Sequence, residues 1–502
     1  MNKIFIKNIG ANIIGRIWSI ISVFIFIPLY IYFLGIETYG LVSLFATMQG
    51  ILFLLDAGLS LSLRKEFSTG DSSIENKIRK YKLLRSIEFC YIILNIVLIC
   101  GCFFSADMIA KSWLNIGEID VNVAITTIRL MGISIALQFL STLYSGGLLG
   151  LEQQVKANFF QILWSTAKSV GVLLVLWLIS PDVRLFYIWF IIVDICYLFT
   201  LRHHLLAGIS DNYLKSWRIN EISNLNQIWR YASGILAISI ISALNFQLDK
   251  IIISKYLPIS DLGIYNLAFS LSQLPVILIS AISVAIFPRF VDFITSKEKE
   301  KLHYLFNIAY KITSIIGICL VIYIALYSKE ILQVWTHNID IASKGFIPLI
   351  LLILGSMFLA FQIIPYNLAL ANGVTKINTY FGIINIIILF PTLIFLVDKF
   401  GIIGAATSWL IMMILFGPVY NCYVYSRFMN KSWLVWFLKD TIIPLLFIFV
   451  LSSGFYLIRY VLDFSTYMSL FYAVVTGFVT LIISLVFLNK GLLSKLKVFI
   501  KR

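Results

Sequence analysis

Fourteen apolar segments, most of them long enough to cross a hydrocarbon core as a helix, govern what this chain can fold into. They lie near 10–34, 39–63, 86–106, 121–147, 158–179, 185–201, 231–257, 261–288, 307–327, 345–371, 377–397, 402–425, 441–462 and 466–488, with 185–201 and 377–397 at the short end. Only 13% of the residues are charged and 60% are hydrophobic, against roughly 25% charged in soluble domains. A soluble core cannot absorb that much apolar surface, whereas a bilayer can. Within lipid each span must be helical, because unpaired backbone is too costly there. The expected fold is therefore an all-α polytopic membrane protein of about 14 transmembrane helices.

The basic residues set the orientation. With the N-terminus inside, 28 of the 39 lysines and arginines fall on cytoplasmic loops, tails and span ends. Seven fall on the opposite side: Lys111, Arg184, Lys255, Lys329, Lys344, Lys399 and Arg459. Both termini are thus expected to be cytoplasmic. The net charge of +15 is mostly this topology signal, and nucleic acid is not an expected partner. The basic runs Arg79-Lys80 and Lys495 to Arg502 read instead as contacts to anionic membrane lipids.

The first half recurs in the second at an offset of 223 residues. Leu34-Gly35-Ile36-Glu37-Thr38-Tyr39-Gly40-Leu41 returns in outline as Leu257-Pro258-Ile259-Ser260-Asp261-Leu262-Gly263-Ile264, and Gly150 falls on Gly373. Ser43 and Thr47 correspond to Asn266 and Ser270. Six spans per copy make the two copies parallel, related by an axis along the membrane normal. The expected organisation is a six-helix bundle over 1–205, a cytoplasmic linker over 206–230, and a second bundle over 231–430. An extra hairpin with a basic tail fills 431–502.

Candidate functional residues are the polar groups inside spans, where a charge normally faces protein or water. Asn12, Arg16 and Ser19 share one face of span one; Ser242, Asn245 and Asp249 share one of span seven. Thr47 lies in span two, and Asn266, Ser270 and Gln273 align in span eight. Such faces also suit plain helix packing, but full charges are rarely needed for that. Lys168 is the deepest cation, on a face with Gln161 and Trp164; Asp194 of span six is its candidate partner, either in a buried pair or beside a cavity. Arg129 lies nearer the outer end of span four. Asp56 and Arg64 read as anchors at the inner mouth. A cavity holding Arg16, Lys168, Lys250 and Arg129 would favour a phosphate or carboxylate substrate. The six cysteines and His203-His204 show no metal-ligand spacing, no phosphate-binding loop occurs, and no cofactor is called for.

Several runs carry a family resemblance. Asn245-Phe246-Gln247-Leu248-Asp249-Lys250-Ile251-Ile252-Ile253-Ser254, Leu262-Gly263-Ile264-Tyr265-Asn266-Leu267-Ala268 and Ile286-Phe287-Pro288-Arg289 resemble spans seven and eight of the Wzx-type flippases. These belong to the multidrug/oligosaccharidyl-lipid/polysaccharide (MOP) exporter superfamily. Leu55-Asp56-Ala57-Gly58-Leu59, Ala371-Asn372-Gly373-Val374-Thr375-Lys376 and Gly401-Ile402-Ile403-Gly404-Ala405-Ala406 extend the match over spans one to twelve. The resemblance implies a V-shaped pair of bundles in a bacterial cytoplasmic (inner) membrane. It also implies alternating access, with undecaprenyl diphosphate bearing an oligosaccharide repeat unit as substrate. Arg16, Lys168, Asn12, Thr47, Gln273, Asn245, Arg129 and Lys250 are then candidates for substrate binding. Asp249, with Asp194, is a candidate for coupling to H⁺ or Na⁺, and a polysaccharide polymerase complex is a candidate partner. A lipid-II-type flippase and a drug or cation antiporter share the fold. A membrane-bound polymerase or ligase is a reading of another class, which the short outer loops disfavour. No nucleophile–base arrangement stands out, so an enzyme is not expected.

Overall fold

The computed structural model describes residues 3–68, 73–209, 225–374, 376–429 and 433–488. Most of the expected linker and the basic tail lie outside them, as do the side chains of Asn12, Arg16 and Ser19. Every extended element among the described residues is a helix. They are α1 (Lys3–Ser68), α2 (Ile74–Met108), α3 (Val121–Gly150), α4 (Gln154–Leu178), α5 (Val183–Ile209), α6 (Leu225–Tyr256), α7 (Ile259–Ser272) and α8 (Leu274–Thr295). They continue as α9 (Lys299–Leu326), α10 (Ser328–Thr336), α11 (Ile339–Ala371), α12 (Lys376–Met429), α13 (Trp433–Phe437), α14 (Ile443–Val461) and α15 (Thr466–Leu488).

Eleven helical stretches are long and apolar enough to cross a membrane. Two of them hold two crossings each, because α1 and α12 turn back at a single glycine. Gly35 takes φ 76° and Gly401 takes φ 57°, backbone angles that side chains on L residues disfavour. With α6 as span seven, the fourteen expected crossings are all present. The breaks expected between spans one and two, and between eleven and twelve, are thus corners of one residue rather than loops. Span eight breaks where α7 ends and α8 begins, at Gln273 ahead of Pro275.

Contacts divide the chain into two compact units, residues 1–263 and 264–502. In the first, α3 is central, packing on α1, α2 and α5, while α4 packs on α1 and α5 and α6 lies along α1. Its core gathers Leu63, Phe67, Leu84, Tyr91, Leu143 and Leu205. In the second unit α11 is central, packing on α8, α9, α10 and α12. Helices α3 and α11 are spans four and ten, six apart, so repeat counterparts hold the middle of each unit.

The closing hairpin, α14 and α15, packs on α9, and α15 also meets α10. Ser469, Ala473, Thr476, Thr480 and Ser484 form a buried small-residue stripe on α15. Such stripes allow close helix approach in lipid, where apolar burial gives no drive between helices. Polar links fasten it: Tyr323 to Thr480 (2.8 Å), Tyr310 to Thr441 (2.9 Å), and Arg459 to Glu330 (2.6 Å).

Candidate functional site

The first unit holds a polar centre built by three helices. Ser134 and Gln138 stand one turn apart on α3, Trp164 and Lys168 one turn apart on α4, and Phe190, Asp194 and Tyr197 follow at helical spacing on α5. Asp194, fully buried, is the hub. Its Oδ1 accepts from Lys168 Nζ (2.8 Å) and Trp164 Nε1 (2.9 Å), and its Oδ2 from Ser134 Oγ (2.7 Å) and Gln138 Nε2 (3.1 Å). Lys168 Nζ also sits 4.2 Å from the centre of the Phe190 ring and 4.7 Å from that of Trp164. Four donors and two aromatic faces leave the pair well compensated within an apolar bundle. Gly171 opens α4 for the ring of Trp189, whose Nε1 donates to the Ala167 carbonyl (3.0 Å) and fixes α5 against α4.

Beside this hub lies a cavity of about 260 Å³. Gln138 and Trp164 of the hub line it, together with Tyr197, Arg64, Thr142 and Gln161. Trp164 and Tyr197 are stacked, with ring centres 4.7 Å apart and planes 14° apart. Gln49 donates to Gln138 Oε1, tying α1 to the same network.

Other candidate residues fall elsewhere. Arg129 pairs with Asp107 of α2 (2.7 Å) and lies over the Phe103 ring. Lys250 folds back on its neighbour Asp249 (3.3 Å) and donates to the Phe246 carbonyl (2.8 Å), so both are buried together. Thr47 is buried and donates to the Ser43 carbonyl, and half-buried Asn245 donates to that of Ile241. In the second unit Gln273 reaches Ser356 Oγ (3.3 Å). Lys168, Lys250 and Arg129 therefore each face a carboxylate rather than one another.

Sequence reasoning missed several groups. Asp56 is buried and accepts from Tyr91 rather than anchoring an inner mouth. Glu88 accepts from Arg85 and Arg202 (both 2.8 Å) and from Tyr144. The available signal was an acidic residue within or beside an apolar run, but apart from Arg85, one turn away on α2, the partners sit on other helices. At the corner of α1, the Glu37 carboxylate takes the backbone N–H groups of Gly117 (2.6 Å) and Glu118 (2.9 Å). Trp113 Nε1 donates to Ser254 Oγ (3.0 Å), and Ile259 N–H to the Asn115 carbonyl (3.0 Å).

This architecture defines the class by fold: a polytopic α-helical membrane protein built like solved transporters of the MOP superfamily. The fold matches the solved lipid II flippase MurJ in an inward closed conformation, with TM-score 0.74 and 16% identity over 97% of this chain and 100% of that one. It also matches an inward-facing multidrug resistance MATE family transporter of the MOP superfamily, with TM-score 0.69 and 14% identity over 83% and 95%. The profile of the polysaccharide biosynthesis protein family matches residues 5–294, and the chain belongs to that family. A second profile, MatE, matches residues 235–395. A Shigella flexneri protein provisionally named an O-antigen transporter is 23% identical over 390 residues, covering 76% of this chain and 88% of that protein.

Proposed function

We propose that this protein is a flippase that carries undecaprenyl-diphosphate-linked oligosaccharide repeat units across the bacterial cytoplasmic membrane for surface polysaccharide synthesis. The observation that carries this reading is a cavity of amides, hydroxyls and aromatic rings inside an apolar bundle of a polysaccharide biosynthesis family member. A sugar head group cannot cross lipid unaided, since each unpaired hydroxyl is costly to desolvate. A protein path with hydrogen-bonding groups replaces the lost water. The likeness of the Shigella flexneri relative, by its name an O-antigen transporter, supports the same substrate class.

In this reading the bundles over 1–205 and 231–430 rock about the repeat axis, with both termini cytoplasmic. Asn12, Arg16, Thr47, Asn245 and Gln273 line the route, and Arg16 meets the diphosphate. Lys168, Lys250 and Arg129 reach the substrate only where their carboxylate partners yield them. Asp249 carries the coupling ion, H⁺ or Na⁺, and a polysaccharide polymerase complex receives the product. Asp249→Asn combined with Lys250→Gln keeps the site neutral and removes its titratable groups. Export by that variant is expected to lose its response to an imposed pH gradient; an unchanged response removes Asp249 from coupling.

Whole-chain likeness to MurJ supports a second reading, transport of the peptidoglycan precursor lipid II. The deciding experiment depletes the protein and tests undecaprenyl-linked saccharides in spheroplasts with an impermeant glycosidase. Accumulated, inaccessible repeat units are expected. Accumulated lipid II would favour the second reading. Accessible repeat units would mean that translocation persists and a later step, polymerisation or ligation, is blocked.

A further inference from the structure

We propose that the cavity of the first unit is a single-sugar subsite, with Trp164 and Tyr197 as its ring platform and Gln161 as its hydrogen-bonding edge. This rests on the reading of the chain as a carrier of lipid-linked saccharides, and it assigns the sugar to α1, α3, α4 and α5 alone. Arg129, Lys250 and Asp249 do not line the cavity, so it is distinct from the candidate sites on spans four and seven.

Three features point to a sugar. The first is shape: about 260 Å³ is small for a lipid head group of several sugars but holds one ring with its water. The second is chemistry. The walls mix the half-buried aromatics Trp164 and Tyr197 with Thr142, Ser145 and Gln161. A pyranose offers the same mixture, with C–H groups on its faces and hydroxyls round its rim. The exposed Gln161 amide can both donate and accept, as hydroxyls require. An anion would want more than the one cation present, Arg64, and a purely apolar guest would leave the hydroxyls and amide without water.

The third feature is preorganisation. Trp164 is held twice, by Nε1–H to Asp194 and by stacking on Tyr197. Gln138 is held by Asp194 and Ser134 through Nε2 and by Gln49 through Oε1. Asp194 touches none of the cavity itself, so it is a positioning residue, and Lys168 keeps it compensated. A site whose walls are already locked loses little entropy on binding. Arg64, on the last turns of α1, also lines the cavity, and a phosphate joined to the sugar would find a cation there.

The test uses the full-length protein in phosphatidylethanolamine/phosphatidylglycerol nanodiscs. Two probes are compared by native mass spectrometry: undecaprenyl diphosphate, and the same lipid bearing one N-acetylglucosamine. The wild type is expected to bind the sugar-bearing lipid about tenfold more tightly, the worth of one stacked ring plus one net hydrogen bond. Trp164→Leu and Gln161→Ala are each expected to cut that ratio to about threefold or less. Both should bind the bare diphosphate as the wild type does, which shows that they are folded. Gln161→Ala, at an exposed position, guards against a misfolded Trp164 variant. A wild-type ratio near one, or an unchanged ratio in both variants, overturns the subsite while leaving the flippase reading intact. Failure of the wild type to bind either lipid overturns the flippase reading, and the subsite with it.

Discussion

Lys168→Met is expected to destabilise the first unit by about 3–5 kcal/mol, because it strands the fully buried Asp194 carboxylate without its counter-charge. Ser134, Gln138 and Trp164 would still donate to Asp194, but three neutral donors do not replace an ammonium in an apolar bundle. Less protein in the membrane and a lower melting temperature in detergent should follow. The double variant Lys168→Met, Asp194→Asn removes both charges and keeps an acceptor for Trp164. Replacing a buried ion pair by neutral groups is often harmless, so the double variant should melt near the wild type. Its export then separates the two roles left open by the sequence. A folded double variant that exports normally makes the pair a structural hub, with neither charge needed in transport. One that is folded but inactive requires a charge, on Lys168 for the substrate or on Asp194 for an ion.

How much of this was legible depended on whether the signal was local. The spans were, because lipid forces each apolar run of sufficient length into a helix. Lys168 was also conspicuous, since a lysine ten residues into a span must find a partner, and Asp194 was the nearest suitable acid in the next span. Gln138 and Tyr197 were not: each is an ordinary residue in an apolar run, and only packing of α3, α4 and α5 brings them to one cavity. The corners at Gly35 and Gly401 look in sequence like brief loops; that helix resumes at once on either side depends on positive φ at one residue. The hairpin had no counterpart in the repeat, and its role as a packed flank of α9 shows only in its buried serines and threonines.

Gly40→Val is expected to reduce export at least about tenfold while leaving insertion intact, through a contact that the repeat itself creates. Gly40 and Gly263 are counterparts at the 223-residue offset, and the structure brings α1 and α7 together at these glycines. A Cβ on Gly40 would land on the carbonyl oxygen of Ile259, and one on Gly263 would lie 3.2 Å from that of Ile36. Both obstacles are backbone, which cannot swing aside as a side-chain tip can, so the helices themselves must separate. The fastening at this end is otherwise close: Ile259 bonds to Asn115, and Glu37 holds Gly117 and Glu118. Overpacking there costs about 1–3 kcal/mol, charged only to the conformation in which α1 and α7 touch. That is enough to shift a two-state equilibrium by roughly one to two orders of magnitude. The shift can be read directly. Ser43, one turn beyond Gly40, is 2% exposed, so a cysteine placed there should react slowly with an impermeant maleimide added from outside. Gly40→Val should make that cysteine react faster, and Gly40→Ala should fall between. Unchanged labelling with unchanged export would make the glycine contact incidental. Faster labelling with lost export would make the meeting of α1 and α7 a closure that must form and break in each cycle.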